Sequence, residues 1–177
     1  MSRTSRIHKK AAPGNLGVAI LTVSTSKHKK RSQGIKVDDA SGDIIEGLIK
    51  QAGHRVVDRD LIPDDLNLIR TRVEEALGER GVDVLIVTGG TGISRSDVTV
   101  EAVEGLLEKK LPGFGEIFRQ LSYAEMGSPA MLTRASAGVR EGKAVFLLPG
   151  SPEAVELAVK RLILPEMAHI VKHAREG

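Results

Sequence analysis

The stretch VDVLIVTGGTG, residues 82–92, decides the fold class of this chain. Its first seven residues are mostly Val, Leu and Ile, which is typical of a strand buried on both faces. Three glycines and a threonine follow that strand directly. Strands of this kind occur in parallel sheets, where ligands bind in the loops at the carboxyl ends of the strands. The stretch therefore predicts an α/β fold with a ligand site in the loop Thr88–Gly92.

The chain before this stretch alternates between strand and helix patterns. A second continuous apolar run, Leu16–Ser24, predicts a buried strand, and His54–Ile62 predicts another. Between them, Ser41 is a plausible N-cap for an amphipathic helix that ends at Gly53. A further helix is predicted after the turn Pro63-Asp64-Asp65. Strands that alternate with helices indicate right-handed βαβ units and a parallel sheet.

The segments outside these units are predicted as follows. The polar, basic stretch 25–37 is expected to be a mobile loop. Helices are expected near residues 99–109, 113–122 and 153–162, with a last segment that Pro165 starts or kinks. A hairpin is expected over 137–148, around Glu141-Gly142-Lys143. We expect two regions: a basic N-terminal arm over residues 1–14 and a single α/β domain over residues 15–177.

Composition excludes several classes of protein. The chain has 177 residues and no cysteine, which removes disulfides, thiolate catalysis and cysteine-based metal sites. Only 2% of residues are aromatic, which argues against binding of single-stranded nucleic acid through stacking. No apolar run has the length of a membrane span, and the N-terminus lacks an apolar signal-peptide core. By elimination, the sequence predicts a soluble cytoplasmic protein that is not bound to a membrane.

The net charge of +3 conceals an uneven distribution. Nine lysines and arginines precede Asp38 and no acidic residue does, whereas the rest of the chain carries 23 acidic and 17 basic residues. The basic segment Lys27–Lys36 follows the first strand. It is either a solvated surface segment or a clamp that neutralises a triphosphate. The arm before Pro13 is either a solvated segment of the same kind or a segment that contacts nucleic acid through its charge.

The loop after residue 88 carries the strongest chemical signal. Its glycines would let backbone N–H groups approach an anion, and its threonines would add hydroxyl donors. No Gly-Lys-Ser/Thr follows, so the loop is not a P-loop. The alternative is a tight turn without a ligand. Asp64 and Asp97 follow the second and third strands, where each is either a helix cap or a carboxylate that holds Mg²⁺ beside a phosphate.

Taken together, these pieces resemble the MoaB/MogA family of molybdopterin-binding proteins, which includes the gephyrin G domain. The most specific block is TGGTGISRSDVTVEAVEGLLEKKLPGFGEIFRQLSY, residues 88–123. It is followed by GSPAMLTRASAGV (127–139) and LPGSPEAV (148–155), and preceded by VSTS (23–26), DDASG (38–42) and LIPDD (61–65). The resemblance covers residues 16–171. It implies a three-layer α/β/α sandwich around a mostly parallel, Rossmann-like sheet.

The resemblance also implies an activity: adenylylation of the molybdopterin phosphate with Mg-ATP, which releases pyrophosphate in molybdenum or tungsten cofactor biosynthesis. It assigns catalysis and Mg²⁺ binding to Asp64 and Asp97. It assigns cofactor binding to Ser24, Ser26, Gly89, Gly90, Thr91, Gly92, Ser128, Pro149, Gly150 and Ser151. A homotrimer, or a hexamer built from two trimers, is implied, with a molybdate-insertion enzyme as a partner.

Two positions depart from the family pattern. Thr25 stands where many members have Asp, and Ser96 stands where Arg often precedes the key aspartate. The family also includes members that lack the transferase activity, so a non-catalytic molybdopterin-binding or scaffold protein of the same fold is the alternative. Finally, Gly90 is expected to lie closest to the ligand. A valine there is expected to block binding while changing the stability of the ligand-free protein little.

Overall fold

The computed structural model describes residues 14–176, and within them it shows a six-stranded sheet. The strands are β1 Gly17–Val23, β2 Arg55–Ile62, β3 Val84–Thr88, β4 Lys109–Lys110, β5 Ser136–Arg140 and β6 Lys143–Leu148. Their order across the sheet is β2-β1-β3-β6-β5-β4. The four strands β2, β1, β3 and β6 pair in parallel, and β5 pairs antiparallel with both β6 and β4. The predicted mostly parallel sheet and the hairpin are confirmed.

Helices cover both faces of this sheet. They are α1 Thr25–Ser32, α2 Ala40–Gln51, α3 Leu66–Gly78, α4 Thr99–Val103, α5 Pro112–Met126, α6 Pro152–Ala158 and α7 Leu164–Ala174. Helices α3 and α4 pack with one hydrophobic cluster, and α2, α5, α6 and α7 pack with another. The two clusters lie on opposite faces of the sheet because the buried side chains of each strand alternate between them. The three-layer sandwich is confirmed.

Strand β1 shows how the sequence specifies this arrangement. All seven of its residues are buried. Val18 and Ile20 belong to one cluster, whereas Ala19 and Leu21 belong to the other. A strand in contact with helices on both faces has no solvent-facing positions, which is why its sequence is a continuous apolar run.

The mobile loop predicted for residues 25–37 is wrong over its first half, where helix α1 lies. Ser24 caps this helix, since its hydroxyl accepts a hydrogen bond from the Lys27 backbone N–H. Lysines and an arginine in the last turn suit the negative end of the helix dipole. Arg31 also bonds Asp60 and the Leu61 carbonyl, which anchors α1 to the end of β2. These contacts are long-range, so the local composition does not reveal them.

Two helix boundaries also differ from expectation. Asp39, not Ser41, caps α2, because the Ser41 hydroxyl instead donates to the Gly150 carbonyl at 2.7 Å. The helix predicted for residues 99–109 ends at Val103 and continues as a 3₁₀ turn over Glu104–Leu106. The chain then joins the sheet edge, where the Glu108 N–H donates to the Val139 carbonyl.

The C-terminal segment is helical from Pro152 to Ala174, with one π-helical turn over Val159–Ile163 between α6 and α7. Pro165 lies in the first turn of α7, so it begins that helix as predicted. The expected basic arm, residues 1–14, falls outside the described residues except for Gly14. Within the described range, no helix has the length and apolar character needed to cross a membrane.

Candidate functional site

Three loops meet at the carboxyl edge of the parallel strands. They follow β1, β3 and β6, and hydrogen bonds join the last two. The Gly89 N–H donates to the Leu148 carbonyl at 3.0 Å, and the Thr88 hydroxyl donates to the Pro149 carbonyl at 2.8 Å. The site is therefore built from loops fixed to the ends of buried strands.

These loops line a cavity of about 510 Å³. It brings together ten of the twelve residues that the sequence nominates: Ser24, Asp64, Gly89, Gly90, Thr91, Gly92, Asp97, Pro149, Gly150 and Ser151. Ser26 and Ser128 do not line it. The Ser26 hydroxyl lies 3.4 Å from that of Ser24, and Ser128 begins the 3₁₀ segment Ser128–Leu132, whose next two residues do line the cavity.

The loop after β3, residues 89–97, is called the glycine loop below. It presents a row of unpaired backbone donors. Within residues 14–176, the N–H groups of Gly90, Thr91, Gly92 and Ile93 donate to no acceptor. The carbonyls that precede them point to the opposite side, because every described peptide bond is trans. Successive N–H groups of this kind form an anion-binding nest.

The carbonyls behind this row are held by two residues. The Thr99 hydroxyl donates to the Gly89 carbonyl at 2.8 Å, and the Thr99 N–H donates to the Gly90 carbonyl at 3.0 Å. The Arg134 N–H and Nε donate to the Thr91 and Gly92 carbonyls at 3.1 and 2.8 Å. The N–H row is thus oriented by Thr99 and Arg134, which do not line the cavity.

Gly90 is required by the backbone itself, so the expectation that a valine there spares stability is wrong. Its φ is +63°, a conformation that side chains disfavour. A Cβ at this position would collide with the Thr99 hydroxyl and lie 3.0 Å from Asp64 Oδ1. Substitution would therefore strain the ligand-free loop as well as fill the cavity.

Asp64 reaches the cavity from the loop after β2. Its Oδ2 accepts hydrogen bonds from the Thr25 N–H and hydroxyl, both at 2.8 Å. The Thr25 hydroxyl in turn accepts from the Asp64 N–H at 2.9 Å. The adjacent Asp65, not Asp64, caps α3. Asp64 therefore does not cap α3; it instead holds the backbone N–H of Thr25, the first residue of α1.

Asp97 reaches the cavity from the other side of the glycine loop. Its Oδ2 accepts from the Ser94 N–H at 2.8 Å and lies 2.8 Å from the position of a Cβ on Gly92. Helix α4 begins at Thr99 without a side-chain cap, so Asp97 is not its N-cap either. Both aspartates thus border the row of N–H donors.

The donor set at these aspartates fits Mg²⁺. In each, Oδ2 is held by the protein, whereas Oδ1 accepts no hydrogen bond from residues 14–176. Carboxylate oxygens are the ligands that Mg²⁺ prefers, and it commonly takes one or two of them together with substrate phosphates. No group of three or more metal-ligating side chains gathers in the described part of the chain. A metal here would therefore need further oxygens from water or from the substrate.

Lys27 is the only lysine or arginine among the described residues that line the cavity. Its Nζ lies 3.7 Å from Asp39 Oδ1. Burial raises the pKa of Asp39, but hydrogen bonds from Arg59, Thr22 and the Gly42 N–H outweigh it and hold this pKa below the ordinary value. Asp39 is therefore an anion at neutral pH and positions Lys27. Of the basic segment Lys27–Lys36, this residue alone reaches the site.

Helix α5 supplies an apolar wall that contains one hydroxyl. Phe118, Ser122 and Met126 recur every four residues and all line the cavity. Ser122 is 2% exposed, and its Oγ is the one buried side-chain polar atom in residues 14–176 without a hydrogen-bond partner. Sequence interpretation missed this residue, although a serine within the apolar stripe of a helix is a usable signal.

Comparison with known proteins identifies the family of the chain. The family model described as a probable molybdopterin binding domain matches residues 19–169. The chain belongs to this family. It is 44% identical over 164 residues to molybdenum cofactor biosynthesis protein B of Bacillus cereus, covering 92% of this chain and 93% of that protein. It is also 44% identical over 163 residues to the probable molybdopterin adenylyltransferase of Methanocaldococcus jannaschii, covering 92% and 96%.

A solved structure of the family shows the same fold. It is that of the tungsten cofactor synthesizing protein MoaB from Pyrococcus furiosus, with a TM-score of 0.81 and 38% identity. The match covers 93% of this chain and all of that one. Within the match to the family model lie the glycine loop, both aspartates, Lys27 and Ser122. The family resemblance and the fold class expected from sequence are confirmed.

Proposed function

We propose that this chain binds molybdopterin in the cavity and transfers the adenylyl group of ATP to its phosphate. A phosphate oxygen of molybdopterin would attack the α-phosphorus of ATP, and the bond from that phosphorus to the pyrophosphate oxygen would break. Two relatives with 42% and 44% identity over most of the chain are named molybdopterin adenylyltransferase and probable molybdopterin adenylyltransferase, which supports the proposal. The observation that carries it is the row of N–H donors between two aspartates.

The residues of the cavity suit a reaction of this type. A phosphate monoester is already ionised near neutral pH, so the site needs no strong general base. It must align two anionic groups and neutralise their charge, which is how phosphoryl-transfer sites act. The N–H groups of residues 90–93 would bind phosphate oxygens, and Lys27 would supply a positive charge.

We propose that Asp64 and Asp97 hold Mg²⁺ together with the ATP phosphates. When bound, the metal would supply positive charge against the triphosphate. Thr25 and the Ser94 N–H each hold one carboxylate oxygen and thereby orient the other. Ser24, Ser26, Ser128 and the loop Pro149–Ser151 remain proposed contacts for molybdopterin or nucleotide.

The assembly and the cellular setting are also proposals. From the family resemblance we propose a homotrimer, or a hexamer of two trimers, and transfer of the product to a molybdate-insertion enzyme. The use of ATP makes the cytoplasm the expected compartment. Light scattering tests the assembly, since a stable monomer in solution would contradict it.

The deciding experiment is release of pyrophosphate from Mg-ATP. Turnover should require molybdopterin, ATP and Mg²⁺ together. A protein that binds molybdopterin tightly but releases no pyrophosphate would instead be the non-catalytic binding or scaffold protein of the same fold. DNA binding that is salt-dependent and lost on removal of residues 1–12 would support the nucleic-acid alternative.

A further inference from the structure

Arg134 lies behind the glycine loop and contacts both ends of its outer segment, residues 92–97. Its Nε donates to the Gly92 carbonyl at 2.8 Å, and its Nη2 donates to the Asp97 carbonyl at 2.9 Å. Its backbone N–H donates to the Thr91 carbonyl at 3.1 Å. A single residue from the segment before β5 thus binds three carbonyls of the site loop.

Glu101 of helix α4 fixes the position of this guanidinium. Both Glu101 carboxylate oxygens accept hydrogen bonds from Arg134, and the bond from Nη2 to Oε2 is 3.3 Å long. The hydrogen bond from Arg134 holds the pKa of Glu101 below its ordinary value. Glu101 is therefore ionised at neutral pH. It ties the guanidinium to α4, the helix that begins two residues after Asp97.

Little else holds the outer segment in place. The side chain of Ile93, next to Gly92, is 71% exposed. Ser94 and Asp97 bond each other, through the Ser94 N–H to the Asp97 carboxylate and the Asp97 N–H to the Ser94 carbonyl. These local bonds shape the turn but do not attach it to the rest of the protein.

The contacts of Arg134 determine the direction of groups that face the substrate. Because peptide bonds are trans, a carbonyl held from behind points the following N–H to the front. The bond to the Gly92 carbonyl thereby directs the Ile93 N–H, and the bond to the Asp97 carbonyl fixes the backbone that carries the Asp97 carboxylate. The planar guanidinium can bridge two carbonyls, whereas the point charge of a lysine cannot hold the same fork.

We propose that Arg134 is a positioning residue for the adenylyl transfer: it holds the glycine loop and Asp97 in the geometry that the transition state requires. This inference rests on the proposed function. Arg134 does not line the cavity that contains the glycine loop and both aspartates, so the proposed role is exerted through the loop. A displacement of reacting groups by about 1 Å can cost a factor of roughly 100 in rate, so a loose loop would be costly.

The test compares Arg134→Lys with Arg140→Lys. Arg140 is a matched control, because it also donates to a backbone carbonyl, that of Leu106, and pairs with a neighbouring carboxylate, Glu141, while lying outside the cavity. Two quantities are measured: kcat and KM for pyrophosphate release, and hydrogen exchange of the peptide spanning residues 90–99 in ligand-free protein.

We expect Arg134→Lys to lower kcat by roughly 10- to 100-fold, to change KM less, and to speed exchange at residues 94–99. Arg140→Lys should change none of these. The proposal is overturned if exchange is unchanged in Arg134→Lys, or if exchange is faster while kcat is preserved. If Arg134→Lys does not fold, Glu101→Gln replaces it in the test. We then expect kcat to fall and exchange at residues 94–99 to speed up, each by less than in Arg134→Lys.

The outcome also separates this proposal from the proposed function. If the parent protein binds molybdopterin but releases no pyrophosphate, the proposed function fails. Arg134 is then judged on molybdopterin affinity, measured by calorimetry. Faster exchange with weaker binding in Arg134→Lys alone would support its role in shaping the loop, whereas unchanged affinity would overturn it.

Discussion

Replacement of Ser122 by alanine should have opposite effects on stability and on ligand binding. The Ser122 hydroxyl is buried in the cavity wall without a partner in residues 14–176. A buried polar group that lacks a hydrogen bond costs about 1–3 kcal/mol. Ser122→Ala removes that cost, so the free energy of unfolding of the ligand-free protein should rise by up to ~1–2 kcal/mol. For a chain of this size that raises Tm by roughly 2–8 °C.

The affinity of Ser122→Ala for molybdopterin should fall, in contrast to its stability. If a polar group of molybdopterin bonds this hydroxyl, its loss removes about 0.5–1.5 kcal/mol of affinity, so Kd should rise about 3- to 10-fold. Isothermal calorimetry with molybdopterin and thermal unfolding of the ligand-free protein give the two quantities on one preparation. Ser41→Ala is the control for stability, because Ser41 is equally buried but bonded to the Gly150 carbonyl. That variant should be destabilised by about 1–3 kcal/mol.

Either of two results would refute this role for Ser122. A loss of stability in Ser122→Ala comparable to that in Ser41→Ala would mean that the hydroxyl has a structural partner. An unchanged Kd would mean that the hydroxyl does not contact the ligand, whatever its effect on stability.

Three further predictions concern other contacts of the site. Thr25→Val should lower kcat/KM about 10-fold and raise the Mg²⁺ concentration needed for half-maximal activity, because Asp64 loses a hydroxyl donor. Thr25→Ser keeps the hydroxyl, so its kcat/KM should stay within about twofold of the parent value. Equal kcat/KM in the two variants would count against this role. Gly90→Val should lower the unfolding free energy of ligand-free protein by roughly 1–3 kcal/mol, and unchanged melting would restore the idea of pure occlusion. Asp39→Asn should cost roughly 2 kcal/mol at pH 7 in urea unfolding. Because the pKa of Asp39 is depressed below 3.8 in the folded protein, its contribution is present above pH 3.8 and is lost as the pH falls through the depressed pKa. The gap between parent and variant should therefore close in acid, and a gap independent of pH would refute the assignment.

The central strands and the position of the site could be predicted from the sequence because their signals are local. The runs that form β1 and β3 are apolar throughout, and parallel strands place the loops that follow them at one edge. The glycine loop and both aspartates lie where these rules put them. Each motif alone is a common turn or helix cap and does not identify a family. The order and spacing of all the motifs along the chain are specific enough to do so.

The remaining features depend on contacts between residues far apart in the chain. Helix α1 is anchored by Arg31 to residues of β2 about 30 positions away. Arg134 bonds carbonyls of the loop after β3 that lie 37 to 43 positions away in the chain. The serine in the apolar stripe of α5 is visible in the sequence, but only the fold shows that the Ser122 hydroxyl has no partner within residues 14–176. Such features carry little sequence periodicity, so a sequence interpretation cannot find them without the fold.

Transfer of the adenylyl group from ATP to molybdopterin at the glycine loop is the central step of the proposed function. The most direct measurement follows ATP labelled at the α-phosphate in the presence of molybdopterin and Mg²⁺. We expect one label on molybdopterin for each pyrophosphate released, and a rate of transfer at least ~100-fold lower with Asp97→Asn in a protein that still folds. Label that stays on ATP while molybdopterin remains bound, or full transfer by Asp97→Asn, would contradict it.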